Sequence, residues 1–358
     1  MKGLLIFLAI TLLICKDSNG QVTDKKRNSL LAYPVLFRLP ETRWGIGIAS
    51  SYQFYINKTD SISPSSQVQF GLAYTQNKQS LIYLPYSFWW DERRNNLSGE
   101  LGYYDYSYNF FGVGFDSDAS IEENYQVSFP RFRGNYLRQI IPNYYLGTRW
   151  WYEDYRITKT LEGGQLAADQ VPGSQSSTTS GPGFVFVFDN RDNIFETRQG
   201  YFLELVWHNQ SRITGSNFWY DRYRFDIRKF IPLGKRNSLA IQGFGDFLRG
   251  SVPFSQMASI GGSKRMRGFY EGHFRDKNML MLQMEARIKV YKRWGITTFA
   301  HGGVLANERM SFAINYTHPA AGLGIRYMFD NEKRLNVRLD YAVSSEARLF
   351  YFTVGEAF

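Results

Sequence analysis

From Trp44 onward, apolar and polar positions alternate with a period of two. Over residues 44–56, Trp44, Ile46, Ile48, Tyr52, Phe54 and Ile56 share one face, and Gly45, Gly47, Ala49 and Gln53 share the other. Over 67–75, Val68, Phe70, Leu72 and Tyr74 alternate with Gln67, Gln69, Gly71 and Ala73. Over 280–290, Leu280, Leu282, Met284, Ala286, Ile288 and Val290 point one way, and Gln283, Glu285, Arg287 and Lys289 the other. That period belongs to β-strands, whose successive side chains leave opposite faces. Turn residues between such runs predict hairpin after hairpin. Strands are expected over 44–56, 67–75, 79–90, 95–106, 122–138, 143–157, 183–189, 200–209, 220–231, 238–248, 278–290, 296–304, 320–329, 335–343 and 349–358. Residues 159–181, rich in Gly, Ser, Thr and Gln, read as a long extracellular loop.

Composition sharpens this picture. The chain has 358 residues, 17% of them aromatic, with 25 Tyr and 29 Phe. Its mean hydropathy is only −0.36. After the first 14 residues, no apolar run approaches the ~20 residues of a membrane helix. High aromatic content, mean polarity and alternating strands together describe a barrel with lipid outside and water inside. Single-chain bacterial barrels have even strand numbers. Fifteen readable strands therefore imply a sixteenth, in 30–39 or 108–115. The expected fold is all-β: a single 16-stranded antiparallel transmembrane β-barrel over 44–358.

Residues 1–20 read as a signal peptide, with Lys2, an apolar stretch over 4–14, and Ser18-Asn19-Gly20 at its exit. Residues 21–43 read as a short periplasmic tether and entry segment. Export then places the chain in the outer membrane of a Gram-negative bacterium. The one Cys is Cys15, inside that leader, which excludes disulfides and thiolate metal sites from the mature chain. The formal net charge of +10 is spread along strands and loops rather than gathered on a helix, which argues against nucleic acid as a partner. A basic lumen, or a surface facing anionic lipid, fits better.

The stretch 260–276, IGGSKRMRGFYEGHFRD, is too apolar for a free tail and too charged for a lipid-facing surface. A polar interior suits it, where its Arg side chains can meet wall carboxylates. Glu285 on the next strand is the nearest inward acid. Spacing alone leaves two readings open: a pair that holds the loop, or a Glu285 and Arg287 that merely line a wet lumen. Asp189, Arg191 and Asp192, closed by Gly200, read as a turn. His208, His273, His301 and His318 have no partner at metal-ligand spacing. No Ser sits in a nucleophile elbow, so neither a metal, a cofactor nor catalysis is expected. The terminal run with Phe352 and Phe358 reads as a last strand that closes the sheet against the first.

These segments, taken in order, resemble the BamA/TamA-type outer-membrane insertase–translocase superfamily. The carriers are Arg267-Gly268-Phe269 after a Gly pair, FDNRDNIFETRQGYFLEL over 188–205, MLQMEARIKV over 281–290, GLGIRYMF, RLNVRLDYAV and the final Phe. The resemblance is strongest over 181–358. It implies a loop between strands 11 and 12 that folds into the lumen, with Arg267, Gly268, Phe269, Glu285 and His301 as an interior lock. It also implies a periplasmic turn motif at Asp189, Arg191, Asp192 and Gly200. The short segment before Trp44 has no room for the family's POTRA modules, so the resemblance is to a POTRA-less branch. His301 stands where the family often has an inward Asp, and it is expected to bond Glu285. The implied activity is assistance to insertion or translocation of protein or lipid. Implied partners are outer-membrane lipid, unfolded barrel clients or envelope-complex subunits, and a second copy of the chain. The alternatives are a structural barrel in an envelope complex, a pore, or a barrel lipase.

Overall fold

The structure is a computed structural model that describes residues 28–39, 43–60, 62–114, 122–307, 311–312, 314–331 and 334–358. The expected signal peptide, and residues 21–27 of the expected tether, lie outside the described residues. The strands are β1 (Ser29–Leu39), β2 (Arg43–Phe54), β3 (Ser66–Thr75), β4 (Ser80–Trp90), β5 (Asn95–Phe110), β6 (Glu123–Ile141), β7 (Tyr144–Lys159), β8 (Ser176–Asp189) and β9 (Gly200–Gln210). They continue with β10 (Tyr220–Leu233), β11 (Asn237–Gly250), β12 (Ala258–Ile260), β13 (Phe274–Asp276), β14 (Asn278–Tyr291), β15 (Trp294–Ala306), β16 (His318–Asp330), β17 (Leu335–Ser344) and β18 (Arg348–Val354).

Sixteen of these form one antiparallel sheet in chain order, β11 pairing directly with β14, while β12 and β13 pair only with each other. The hairpins are tight. Ile141 faces Tyr144 across Pro142 and Asn143, with Asn143 at φ +71°, and Tyr291 faces Trp294 across Lys292 and Arg293. Asn and turn-forming polar residues tolerate that left-handed backbone, which matches the twist of the flanking strands.

Burial along the strands runs opposite to that of a water-soluble sheet. On β14, Gln283, Glu285 and Arg287 are buried, while Leu282 and Val290 are 54% and 60% exposed. Ile46, Ile48, Phe184, Leu323 and Phe350 are likewise exposed on their strands. An outward apolar face over a buried polar one is stable only where the surroundings are hydrocarbon.

The sixteenth strand is β1, in the first of the two places expected for it. Four expectations are corrected here. Sheet structure begins at Ser29 rather than at residue 44, so 29–39 is no tether. Pro34 obscured it; an edge strand tolerates the missing N–H that a central strand would not. β8 starts at Ser176, inside the stretch read as loop, with Ser177 and Thr179 buried. The hydrogen-bonded order ends at β1 and β18 with no ladder joining them among the described residues, so a sixteen-stranded sheet stands where a closed barrel was expected. The connection between the sheet's eleventh and twelfth strands is no plain loop either, since it carries the β12–β13 hairpin.

Candidate functional site

The segment between β11 and β14 lies against the polar face of the sheet. Its apolar residues Ile260, Met266, Phe269 and Phe274 are buried with Phe244, Met279, Met281 and Leu305 of the wall. At the tip, Arg267 is fully buried. Its Nη1 donates to Asp340 Oδ2 at 2.6 Å and its Nη2 to Glu285 Oε2 at 2.7 Å. The guanidinium lies 3.5 Å from the centroid of the Phe299 ring. A guanidinium can fork in this way because its donors are fixed in one plane, which an ammonium cannot imitate.

Glu285 and Asp340 are shared with other arginines. Arg287 Nε donates to Glu285 Oε1 at 2.8 Å. Arg326 reaches Asp340 Oδ1 at 2.5 Å and Glu356 at 2.9 Å, and Arg338 reaches Asp340 Oδ2 at 2.8 Å. Arg338 also donates to the backbone oxygen of Ser263 in the segment at 2.7 Å. Buried carboxylates are tolerable only with such partners, since an isolated charge would carry a desolvation cost of several kcal/mol.

The backbone next to Arg267 is held as firmly. His301 Nε2 donates to the Arg267 carbonyl at 2.6 Å. Gly268 N–H donates to the Tyr351 hydroxyl at 2.9 Å, and that hydroxyl donates on to the Phe269 carbonyl at 3.2 Å. Ser344 Oγ donates to the Gly268 carbonyl at 2.7 Å. Gly268 has φ +110°, and a Cβ there would lie 3.2 Å from Ala320 Cβ. Only glycine takes that conformation without strain and fits the space. Phe269 packs edge-on to Phe274 at 5.9 Å.

Of the residues read from sequence, Arg267, Gly268, Phe269, Glu285 and His301 thus come together. His301 does so differently than expected, bonding the Arg267 carbonyl rather than Glu285. The second acid is Asp340 on β17, and Ser344 and Tyr351 complete the cradle; sequence reasoning had passed over all three. Asp340 carried a readable signal, because the alternation in β17 places Asn336, Arg338 and Asp340 together on the buried face.

The Asp189–Gly200 turn forms separately. Arg191 forks onto Asp189 at 2.8 Å through both Nε and Nη2. Asp192 accepts the N–H groups of Arg198 and Gln199 at 2.9 and 3.2 Å, and Arg334 at 2.6 Å. Burial pushes the Asp192 carboxyl up, but the Arg198 and Gln199 N–H bonds and the Arg334 cation outweigh it and leave the group below its ordinary value. Gly200 at φ +112° lets the chain pass 2.7 Å from Asn190 O, measured from where a Cβ would sit. At the other end of the chain, Phe352 lies in β18 and is 46% exposed. Phe358 is not part of a closing strand. The chain turns at Gly355 and buries Phe358 against Phe230 and Ala240, with Arg287 Nη2 on its backbone oxygen at 2.8 Å.

A large antiparallel sheet with an inverted burial pattern, holding a buried arginine between two wall carboxylates, defines a membrane β-protein of the outer-membrane type. Residues 61–358 match the Omp85 superfamily domain, and the chain belongs to that superfamily, whose members are β-barrel proteins of the outer membrane. Among solved structures it is similar to BamA from Haemophilus ducreyi lacking POTRA domains 1-3, at TM-score 0.61 and 14% identity over 93% of this chain and 70% of that one. CdiB from Acinetobacter baumannii gives 0.62 and 11%, covering 93% of this chain and 60% of that one. CdiB from Escherichia coli gives 0.58 and 10%, covering 93% and 62%. This chain therefore spans less than two thirds of either CdiB chain. No curated protein matches the sequence.

Proposed function

We propose that β1 and β18 meet to close the sheet into an outer-membrane barrel, and that this barrel assists insertion or translocation of protein or lipid. In this reading the β11–β14 segment fills the lumen, and the Arg267–Glu285–Asp340 cluster locks it there. The Asp189–Gly200 turn faces the periplasm. The observation that carries the reading is the Arg267 guanidinium, buried between carboxylates on two strands 55 positions apart in sequence. A segment so held has to move, or the seam beside β18 has to open, before anything passes. Membership of the Omp85 superfamily supports this reading. No hydrolytic step is assigned: His208 and His301 each spend Nε2 on a backbone carbonyl, at 2.8 and 2.6 Å.

Depletion in the parent bacterium, followed by quantitation of outer-membrane proteins, tests this. Loss of several unrelated barrels is the expected result. Loss of the subunits of a single envelope complex would instead make the chain a docking barrel that moves nothing.

A further inference from the structure

The polar face carries a second group of arginines that the Arg267 cluster does not use. Arg133, Arg149 and Arg224, from β6, β7 and β10, surround one indole, their guanidinium carbons 4.7, 5.1 and 5.9 Å from the Trp151 ring centroid. Arg224 also lies 5.5 Å from the Phe244 ring, and Arg265 of the β11–β14 segment sits over that same ring at 3.8 Å. Two rings thus gather four cations from the wall and from the segment that faces it.

The acids within reach are already engaged. Glu153 accepts Arg131 at 2.7 Å and the Gln256 amide at 2.8 Å, which leaves Arg133 at 3.7 Å. Glu100 lies 3.7 Å from Arg131. Asp246 is forked by Arg222 at 2.8 and 3.0 Å and takes Arg224 at 2.8 Å. Glu204 takes Arg149 at 3.2 Å. Asp226 is held by Arg228 at 2.6 and 2.9 Å, and those two neutralise each other. Six guanidiniums (Arg131, Arg133, Arg149, Arg222, Arg224, Arg265) therefore face four carboxylates (Glu100, Glu153, Glu204, Asp246). The half-buried guanidiniums of Arg133 and Arg265 show no side-chain hydrogen bond among the described residues, Arg133 having only the 3.7 Å approach to Glu153. The fully buried Arg149 Nε, Arg224 Nε and Trp151 Nε1 lack an acceptor. Buried donors left unmatched are rare in native proteins and ask for an explanation.

We propose that Arg133, Arg224 and Arg265 form a binding site for a phosphate group, supplied by the phosphomonoester headgroup of a lipid or by a free phosphate. The surplus of two positive charges matches a phosphate dianion. Its several oxygens can accept from guanidiniums carried by different elements and linked through the Trp151 and Phe244 rings, which one carboxylate with two oxygens and a single charge cannot do. The low-dielectric wall focuses the field of these cations on the space between them. Because Arg265 belongs to the segment and Arg133 and Arg224 to β6 and β10, the bound group fastens the segment to strands other than the two that carry Glu285 and Asp340. This goes beyond the insertase reading and does not depend on it.

The test uses the full chain, purified in a maltoside detergent free of phosphate, with titration calorimetry of inorganic pyrophosphate against chloride at equal ionic strength. Saturable binding is expected, weakened about tenfold or more in Arg133→Gln/Arg265→Gln, since charge-assisted bonds are lost from two of three contacts. Heat-modifiable gel mobility confirms that the variant is folded. Arg133→Lys, which keeps the charge and loses the fork, should fall between. Mass spectrometry of lipid that co-purifies separates the two sources. A phosphate-bearing lipid held by the native chain and absent from the double variant identifies a headgroup site. Equal lipid in both, with pyrophosphate binding lost only in the variant, identifies a free phosphate. Absence of saturable binding, equal affinity in native and variant chains, or polyglutamate binding as tightly as pyrophosphate would overturn the proposal.

Discussion

Arg267→Ala removes the centre of the buried cluster, and its cost can be worked from the geometry. Two charge-assisted hydrogen bonds disappear, at 2.6 Å to Asp340 and 2.7 Å to Glu285. Each such bond is worth ~1.5–3 kcal/mol. Breaking a buried pair that strands its partner costs ~3–5 kcal/mol. The partners here are not stranded. Arg287 still holds Glu285 at 2.8 Å, and Arg326 and Arg338 still hold Asp340 at 2.5 and 2.8 Å. The expected loss therefore sits at the low end, about 3 kcal/mol, or roughly a hundredfold in the folding equilibrium. Arg267→Lys should recover less than half of it, because an ammonium cannot fork to carboxylates on two strands. The assay is a urea titration of the detergent-solubilised protein, read by heat-modifiable gel mobility. An Arg267→Ala midpoint that corresponds to less than about 0.5 kcal/mol of change would refute the reasoning, since such values belong to ordinary surface sites.

Three further outcomes follow from the same contacts. Glu285→Gln should cost more than Arg267→Ala, about 3–5 kcal/mol, because it leaves Arg267, Arg287 and Arg326 short of a counter-charge; the Arg267→Ala/Glu285→Gln double variant should show a coupling of roughly 1–3 kcal/mol in a double-mutant cycle. Gly268→Ala should lower stability by about 1–3 kcal/mol, through its positive φ and the 3.2 Å approach to Ala320, measurable as a reduced thermal midpoint. Asp192 has a folded-state pKa below its ordinary value of 3.8, so its contribution is present at neutral pH and fades as pH falls below about 4; Asp192→Asn should flatten the stability profile in that acid window and leave its slope above pH 6 unchanged.

Much of this architecture is legible in the residues, and the gaps have physical causes. Period-two alternation located fifteen strands because one face must be apolar for lipid and the other polar. Strand parity left β1 as one of two places for the sixteenth strand, and the pattern alone did not choose it because Pro34 breaks what a central strand would need, while an edge position tolerates it. The start of β8 escaped because Ser and Thr on a polar inner face look like loop composition. The pairing of Arg267 with Glu285 was readable, since an Arg-bearing segment precedes a strand with one inward acid. Asp340 was not joined to it, because alternation says which face a residue occupies and nothing about which distant strand curves beside it. His301 was placed on the correct face but given the wrong partner, because only geometry shows the Arg267 carbonyl turned toward it. Phe358 was read as part of a strand, yet Gly355 at φ +84° turns the chain inward before it.

The account rests on the segment's tip being seated against the wall at Gly268. A Cβ at position 268 would lie 3.5 Å from Ser344 Cβ, within the span of a disulfide. The direct measurement is oxidation of Gly268→Cys/Ser344→Cys in isolated outer membranes, followed by peptide mapping, with Gly268→Cys/Val343→Cys as the outward-facing control. The account predicts a disulfide between residues 268 and 344 in most of the protein and none in the control. Two freely alkylated thiols at 268 and 344, in protein whose Gly268→Cys single variant keeps the native heat-modifiable mobility and urea midpoint, would contradict it.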